Sequence, residues 1–138
     1  MTTEINQQSF LTEWVTDPNQ TKQAYIRLKE ALEGYSGVDT DFKARPGITF
    51  SLRGKHKNQT ERQLFVMVDV IDDDPDSRWL SVCFFGDMIT DPEEKGDLVP
   101  EGLLGEDGYC FDLYEWDEDE FNYVMQRMNE AFQSAARA

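Results

Sequence analysis

The residues of this sequence that could do chemistry are mainly carboxylates, and the densest run of them separates two apolar segments. Five aspartates fall within eight positions: Asp69, Asp72, Asp73, Asp74 and Asp76. Carboxylate oxygens are the ligands that hard cations such as Ca²⁺ and Mg²⁺ prefer. Asp, Pro and Ser are also the residues that favour tight turns, for local backbone reasons. We interpret this run as the connection of a hairpin, not as a metal site.

A second carboxylate pattern suggests metal-assisted hydrolysis. Pro75-Asp76 followed by Glu93 and Lys95 satisfies the Pro-Asp…(Asp/Glu)-x-Lys pattern of metal-dependent nucleases. In such enzymes the acids hold a divalent metal and the lysine assists the attacking water. Here a proline and a glycine flank Glu93 and Lys95, which favours a turn over the middle of a strand. A metal-assisted hydrolase that uses the carboxylates of residues 87–107 is kept as the alternative function.

Charge is distributed unevenly along the chain. The 138 residues carry a formal net charge of −15, yet residues 43–62 have a local balance of +5 and residues 69–120 one of −17. Affinity for a phosphate backbone comes mainly from Lys and Arg, so we expect neither nucleic acid nor an anionic membrane as a partner. The charge favours a basic protein or peptide as partner and leaves a homodimer open.

Apolar spacing predicts helices at both ends of the chain and strands between them. Residues 9–15 and 16–37 show helical spacing, with Asp17 as the expected cap of the second helix and Pro18 at its first helical position. After Gly37 the period changes to two, and strands are predicted at 48–54, 62–71, 78–89 and 109–116. A final helix follows Asp117, which can cap it.

These elements predict a single α+β domain over residues 1–138. Its expected architecture is two-layered, with an antiparallel meander of four or five strands between about residues 38 and 115. The N-terminal helices and the C-terminal helix are expected to pack on that sheet. Residues 90–108 hold four Gly and two Pro, which predicts an ordered loop.

That predicted loop is the first choice for a binding site, because long ordered loops are uncommon and are often functional. It combines apolar side chains with a carboxylate rim, which suits a partner with an apolar anchor and basic flanks. Leu103 and Leu104 could instead hold the loop to the core. The candidate residues are Leu98, Val99, Leu103, Leu104, Asp91 and Glu93.

A second candidate surface is basic. It would contact an anionic ligand or the acidic surface of another copy, through Arg45, Arg53, Lys55 and Lys57, with Arg62 beside them. A solvated hairpin tip is the competing interpretation.

Other reactive side chains are few. Cys83 and Cys110 lie in apolar strand-like runs without the close spacing of a zinc or redox motif, so we expect two buried free thiols. His56 is the one histidine, and no role is assigned to it. No cofactor and no metal are predicted. The first residues show neither the basic region nor the apolar region that a secretory signal would have, so we expect a cytoplasmic protein.

Residues 45–117 resemble a family of small acidic proteobacterial proteins to which no activity is assigned. The segments that carry the resemblance are RPGITFSLRGK, LFVMVDVIDD, WLSVCFF and DPEEKGDLVPEGLLGEDGYCFDLYEWD. The resemblance implies a bacterial protein but no particular chemistry. In length, acidity and helix–sheet–helix order the chain is also similar to type III secretion chaperones, which however interrupt the sheet with a dimerisation helix. Taken together, the sequence predicts a non-catalytic binding protein.

Overall fold

A computed structural model describes residues 5–138, and one antiparallel sheet runs through them. The helices are α1 (Gln7–Glu13), α2 (Thr21–Gly34) and α3 (Glu118–Ala136). The strands are β1 (Val38–Arg45), β2 (Thr49–His56), β3 (Val66–Ile71), β4 (Trp79–Phe85), β5 (Asp97–Leu103) and β6 (Glu106–Leu113). Their order across the sheet is β1-β2-β3-β4-β6-β5. The predicted α+β two-layer architecture is confirmed, with six strands instead of four or five.

The helices pack against one face of this sheet. Along β3, Val66, Val68 and Val70 are completely buried, whereas the residues between them are half-buried, as the period-two alternation of a strand requires. The buried valines belong to one apolar cluster with Leu28 of α2 and Met128 of α3. The strand register places Asp69, Ser51, Ser81 and the charged residues of β1 on the opposite face, away from the buried valines.

The capping pattern predicts the start of α3 correctly but not that of α2. Asp117 caps α3 as predicted, and its carboxylate accepts the Glu120 N–H at 3.0 Å. The prediction that α2 begins at Pro18 is wrong, because this helix begins at Thr21, after Gln20 in a left-handed conformation. Asp17 still contacts the helix end, since its carboxylate accepts the Lys22 N–H at 3.3 Å.

The aspartate run does form the connection between β3 and β4. Asp74 accepts the backbone N–H of Asp76 at 3.1 Å, as turn aspartates commonly do. Asp72 is buried and accepts from Arg78 Nε at 2.7 Å and from the Gly47 N–H at 2.8 Å. It therefore joins this connection to the β1–β2 turn, and its oxygens are occupied by protein donors.

The prediction of free thiols is wrong. Cys83 of β4 and Cys110 of β6 lie directly opposite each other in the sheet and form a disulfide, with 4.1 Å between their Cα atoms. Sequence spacing could not indicate this pair, because β5 separates β4 from β6 along the chain but not in the sheet.

The prediction of a loop at residues 90–108 is also wrong for most of its length. Residues 97–103 form β5, which pairs with β6 and is an edge strand. Six of its seven residues are exposed, so it lacks the apolar alternation by which strands are recognised. Pro100 is tolerated because an edge strand needs fewer backbone N–H donors.

No helix among residues 5–138 is both long and apolar enough to cross a bilayer.

Candidate functional site

The β5–β6 hairpin ends in a strained turn. Leu103 pairs with Glu106, and the two residues between them, Leu104 and Gly105, have φ values of 52° and 85°. Two successive positive φ values are typical of the type I′ turn, which favours Asn-Gly. A leucine in a left-handed conformation costs roughly 1 to 2 kcal/mol, because its Cβ approaches the following carbonyl oxygen. The hairpin therefore holds an apolar side chain at its tip at a conformational cost.

The four apolar candidates separate into one buried and three exposed side chains. Leu103 is only 1% exposed and belongs to the core, so it holds the hairpin in place and does not present a surface. Leu98 and Leu104 are 51% and 54% exposed, and Val99 is 38% exposed. Leu98 and Leu104 line two different hollows.

The hollow beside Leu98 combines an apolar centre with an acidic rim. It has a volume of about 690 Å³, and Leu98 and Tyr109 supply its large apolar surfaces. Four carboxylates surround them, and Arg62 is the cation in its lining, which leaves a formal excess of three negative charges. The four carboxylates belong to Asp87, Glu101, Glu106 and Asp107.

Arg62 organises one side of this hollow. Its guanidinium forms ion pairs of 2.7 Å with Asp87 and 2.8 Å with Glu106, and it lies 4.2 Å from the ring centroid of Phe85. The hydrogen bond from Arg62 lowers the pKa of Asp87 below its ordinary value. Because two carboxylates share this one guanidinium, the rim keeps negative charge available to a cationic partner.

Asp91 and Glu93 shape the segment before β5 instead of joining the hollow. The Asp91 carboxylate accepts the backbone N–H of Lys95 at 3.0 Å and that of Gly96 at 2.9 Å, and the Tyr123 hydroxyl also donates to it. Burial raises the pKa of Asp91, but these hydrogen bonds outweigh it and hold the pKa below its ordinary value. The Glu93 N–H donates to the Tyr123 hydroxyl at 3.2 Å. In the described part of the chain, no three Asp, Glu, His or Cys side chains come together as a metal site would require.

The basic candidates do not converge on one point. Arg53 and Lys55 line a hollow of about 260 Å³ together with Leu104, so the structure brings the hairpin tip close to part of the basic surface. Arg45 pairs with Thr49 at one end of the β1–β2 ladder, whereas Lys57 follows its other end. Eight residues of extended strand separate these ends by about 27 Å. A single small anion cannot contact all four.

His56 is a structural residue. It is buried, its Nδ1 accepts the Asn58 N–H at 3.0 Å, and its ring lies 5.7 Å from that of Phe132. Gly37 packs so closely that a Cβ there would lie 2.9 Å from His56 Nε2. The candidates predicted from the sequence did not include Tyr109, and Arg62 was assigned to the basic surface instead of the acidic one. The structure places both residues in the hollow beside Leu98. Their positions depend on contacts between distant segments, which no local sequence pattern indicates.

Comparisons with known proteins supply no relative. No protein-family model matches the sequence, and no match was found among curated proteins or among solved structures.

Proposed function

We propose that this protein is a non-catalytic binding protein that takes a basic segment of a partner protein with an apolar anchor residue. The observation that supports this proposal is the hollow beside Leu98, where a half-exposed leucine and Tyr109 lie inside a rim of four carboxylates. The anchor side chain would contact Leu98 and Tyr109, and lysines or arginines beside the anchor would meet the rim.

The two parts of the surface have different expected contributions. Long-range attraction between the acidic rim and a basic segment raises the association rate, and it weakens as salt increases. Apolar contact slows dissociation. Covering the exposed half of Leu98 contributes about 0.8 to 1.5 kcal/mol, which corresponds to a four- to twelvefold change in affinity.

The proposal is tested with a synthetic peptide that has two central leucines flanked by lysines. Two matched peptides replace either the lysines by glutamates or the leucines by serines. Fluorescence anisotropy should detect binding of the first peptide, weaker binding at high salt, and little binding of either matched peptide. Binding that requires both the lysines and the leucines would show that charge and apolar contact act together. Binding that requires only the lysines would show charge attraction alone.

Leu98→Ser locates the surface. This variant should bind the first peptide about four- to twelvefold more weakly while its melting temperature changes little, because Leu98 is already half-exposed. Val15→Ser is the matched control, since Val15 is 80% exposed and does not line the hollow. Equal binding by Leu98→Ser and the wild type would show that the hollow is not the binding site.

Three expectations from the sequence bear on this proposal: the location, the family and the alternative function. A cytoplasmic location stays a prediction, and the disulfide opposes it, because disulfides seldom persist in reducing compartments. Membership of the proteobacterial family stays a proposal as well. The alternative of a metal-assisted hydrolase gains no support from Asp91, whose oxygens are occupied by protein donors.

A further inference from the structure

The two edges of the sheet differ in how well they are protected against pairing. The edge strand β5 contains Pro100, and its register is interrupted between Val99 and Leu103. Such features keep natural edge strands from pairing with another strand. The other edge strand, β1, has eight residues in unbroken register with β2 and contains neither proline nor glycine. Within residues 5–138 no strand pairs with the outer side of β1, so this edge can accept a further strand.

Backbone groups of β1 point to this open edge. The Lys57 N–H donates to the Gly37 carbonyl at 2.9 Å, which makes these two residues a hydrogen-bonded pair in the register of the β1–β2 ladder. Such pairs alternate along antiparallel strands. The odd-numbered residues of β1 consequently direct their N–H and C=O groups to β2. The even-numbered residues, among them Thr40, Phe42 and Ala44, direct theirs to the free edge.

The side chains of the odd-numbered residues form a charged row on the sheet face that the helices do not cover. In chain order they are Asp39, Asp41, Lys43 and Arg45, and all four residues are exposed. Within residues 5–138 none of the four forms an ion pair. Two negative charges followed by two positive ones form a pattern that complements itself when a second copy runs in the opposite direction.

We infer that β1 pairs antiparallel with β1 of a second copy about a two-fold axis at Phe42. This register places Asp39 opposite Arg45 of the second copy and Asp41 opposite Lys43 of the second copy, and the symmetry repeats both pairs. Cross-strand pairs of opposite charge stabilise antiparallel sheets. The interface is isologous and closes as a dimer, which joins two six-stranded sheets into one of twelve strands.

The same register satisfies the free backbone groups. Phe42 meets Phe42 of the second copy, and Thr40 meets Ala44, so that the residues whose N–H and C=O groups point outward lie opposite each other. Phe42 is half-buried and packs against Phe10 with 5.9 Å between ring centroids. Pairing would therefore cover the exposed part of a side chain that is already fixed in position.

The charge of the whole chain makes this edge the favourable one for self-association. Two molecules of net charge −15 repel each other, but β1 is formally neutral and the adjoining residues 46–62 have a balance of +3. Repulsion is therefore weakest at this edge, whereas β5 and β6 lie within the acidic part of the chain.

Sedimentation velocity with charge-reversal variants tests the inference. The wild type should show a monomer–dimer equilibrium between micromolar and millimolar concentration. Asp41→Lys places lysine opposite lysine, and Lys43→Asp places aspartate opposite aspartate, so each variant alone should be monomeric. An equimolar mixture of the two should dimerise, because each interchain contact then joins opposite charges. The double variant D41K/K43D should dimerise for the same reason.

Glu30→Lys and Arg137→Asp are the controls. Glu30 is exposed on α2 and Arg137 is exposed directly after α3, so both changes should leave the equilibrium unchanged. Hydrogen exchange of the wild type gives a second readout. The amides of Thr40 and Phe42 should become more protected at higher protein concentration, whereas that of Lys43 should not change. A wild type that is monomeric at millimolar concentration refutes the inference. So does a dimer that both single variants retain.

Discussion

Replacing Leu103 with alanine should destabilise the protein strongly, whereas the same change at Leu104 should not. Leu103 is 1% exposed within the core, and buried Leu→Ala substitutions cost about 2 to 5 kcal/mol, because they lose apolar contact and leave a cavity. Leu104 is 54% exposed, so alanine there loses about half of a side chain's burial, up to about 1.4 kcal/mol.

The size of the expected shift in melting temperature follows from the chain length. Unfolding entropy near the midpoint is about 2.1 cal/mol/K per residue, or about 0.29 kcal/mol/K for 138 residues. Leu103→Ala should therefore lower the melting temperature by about 7 to 17 °C, and Leu104→Ala by less than about 5 °C.

Differential scanning calorimetry measures both shifts on the same scale. Because both variants remove the same atoms from neighbouring residues, the difference between them reports the burial of the two side chains alone. Equal shifts, or a larger one for Leu104→Ala, would contradict the assignment of Leu103 as the residue that holds the hairpin to the core.

Two further predictions concern the sheet face that the helices leave uncovered. Reducing the Cys83–Cys110 disulfide, which spans a sequence separation of 27, should lower the free energy of unfolding by about 3 to 4 kcal/mol in urea titrations. Intact-mass spectrometry after alkylation of the denatured protein, with and without prior reduction, shows whether the disulfide is present. Alkylation of both cysteines without reductant would contradict it. Asp69→Asn should stabilise the protein at neutral pH. Burial raises the pKa of Asp69 above its ordinary value of 3.8, against the opposing effects of the Ser51 hydroxyl, Arg53 and Arg45. An acid with a raised folded-state pKa contributes stability below its unfolded pKa and loses it as the pH rises through the folded value. The advantage of the asparagine variant in urea titrations should therefore vanish below about pH 3.8 and grow above it; an advantage independent of pH would refute this.

The candidate site shows which features a local sequence pattern can indicate and which it cannot. An apolar centre with an acidic rim was expected within residues 90–108; of the six candidate residues named there, Leu98 alone lines the hollow. Leu103 and Leu104 are adjacent and chemically identical, so no sequence pattern could separate the buried residue from the exposed one. Arg62 and Asp87 join the rim from other parts of the chain, because the segment before β3 and the end of β4 meet the hairpin there.

The sequence by itself determined the features that depend on neighbours a few positions away. These are the helical and strand periods, the cap at Asp117, the aspartate-rich connection after β3 and the separation of basic from acidic segments. Tertiary structure decided the features that depend on which strands lie side by side. The insertion of β6 between β4 and β5 brings Cys83 to Cys110, leaves β5 at an edge where exposed residues and a proline are tolerated, and places Leu98 beside Tyr109. Contacts between segments that are distant in sequence stabilise these strand pairings. The periodicity of apolar residues along the chain does not indicate which strands will pair.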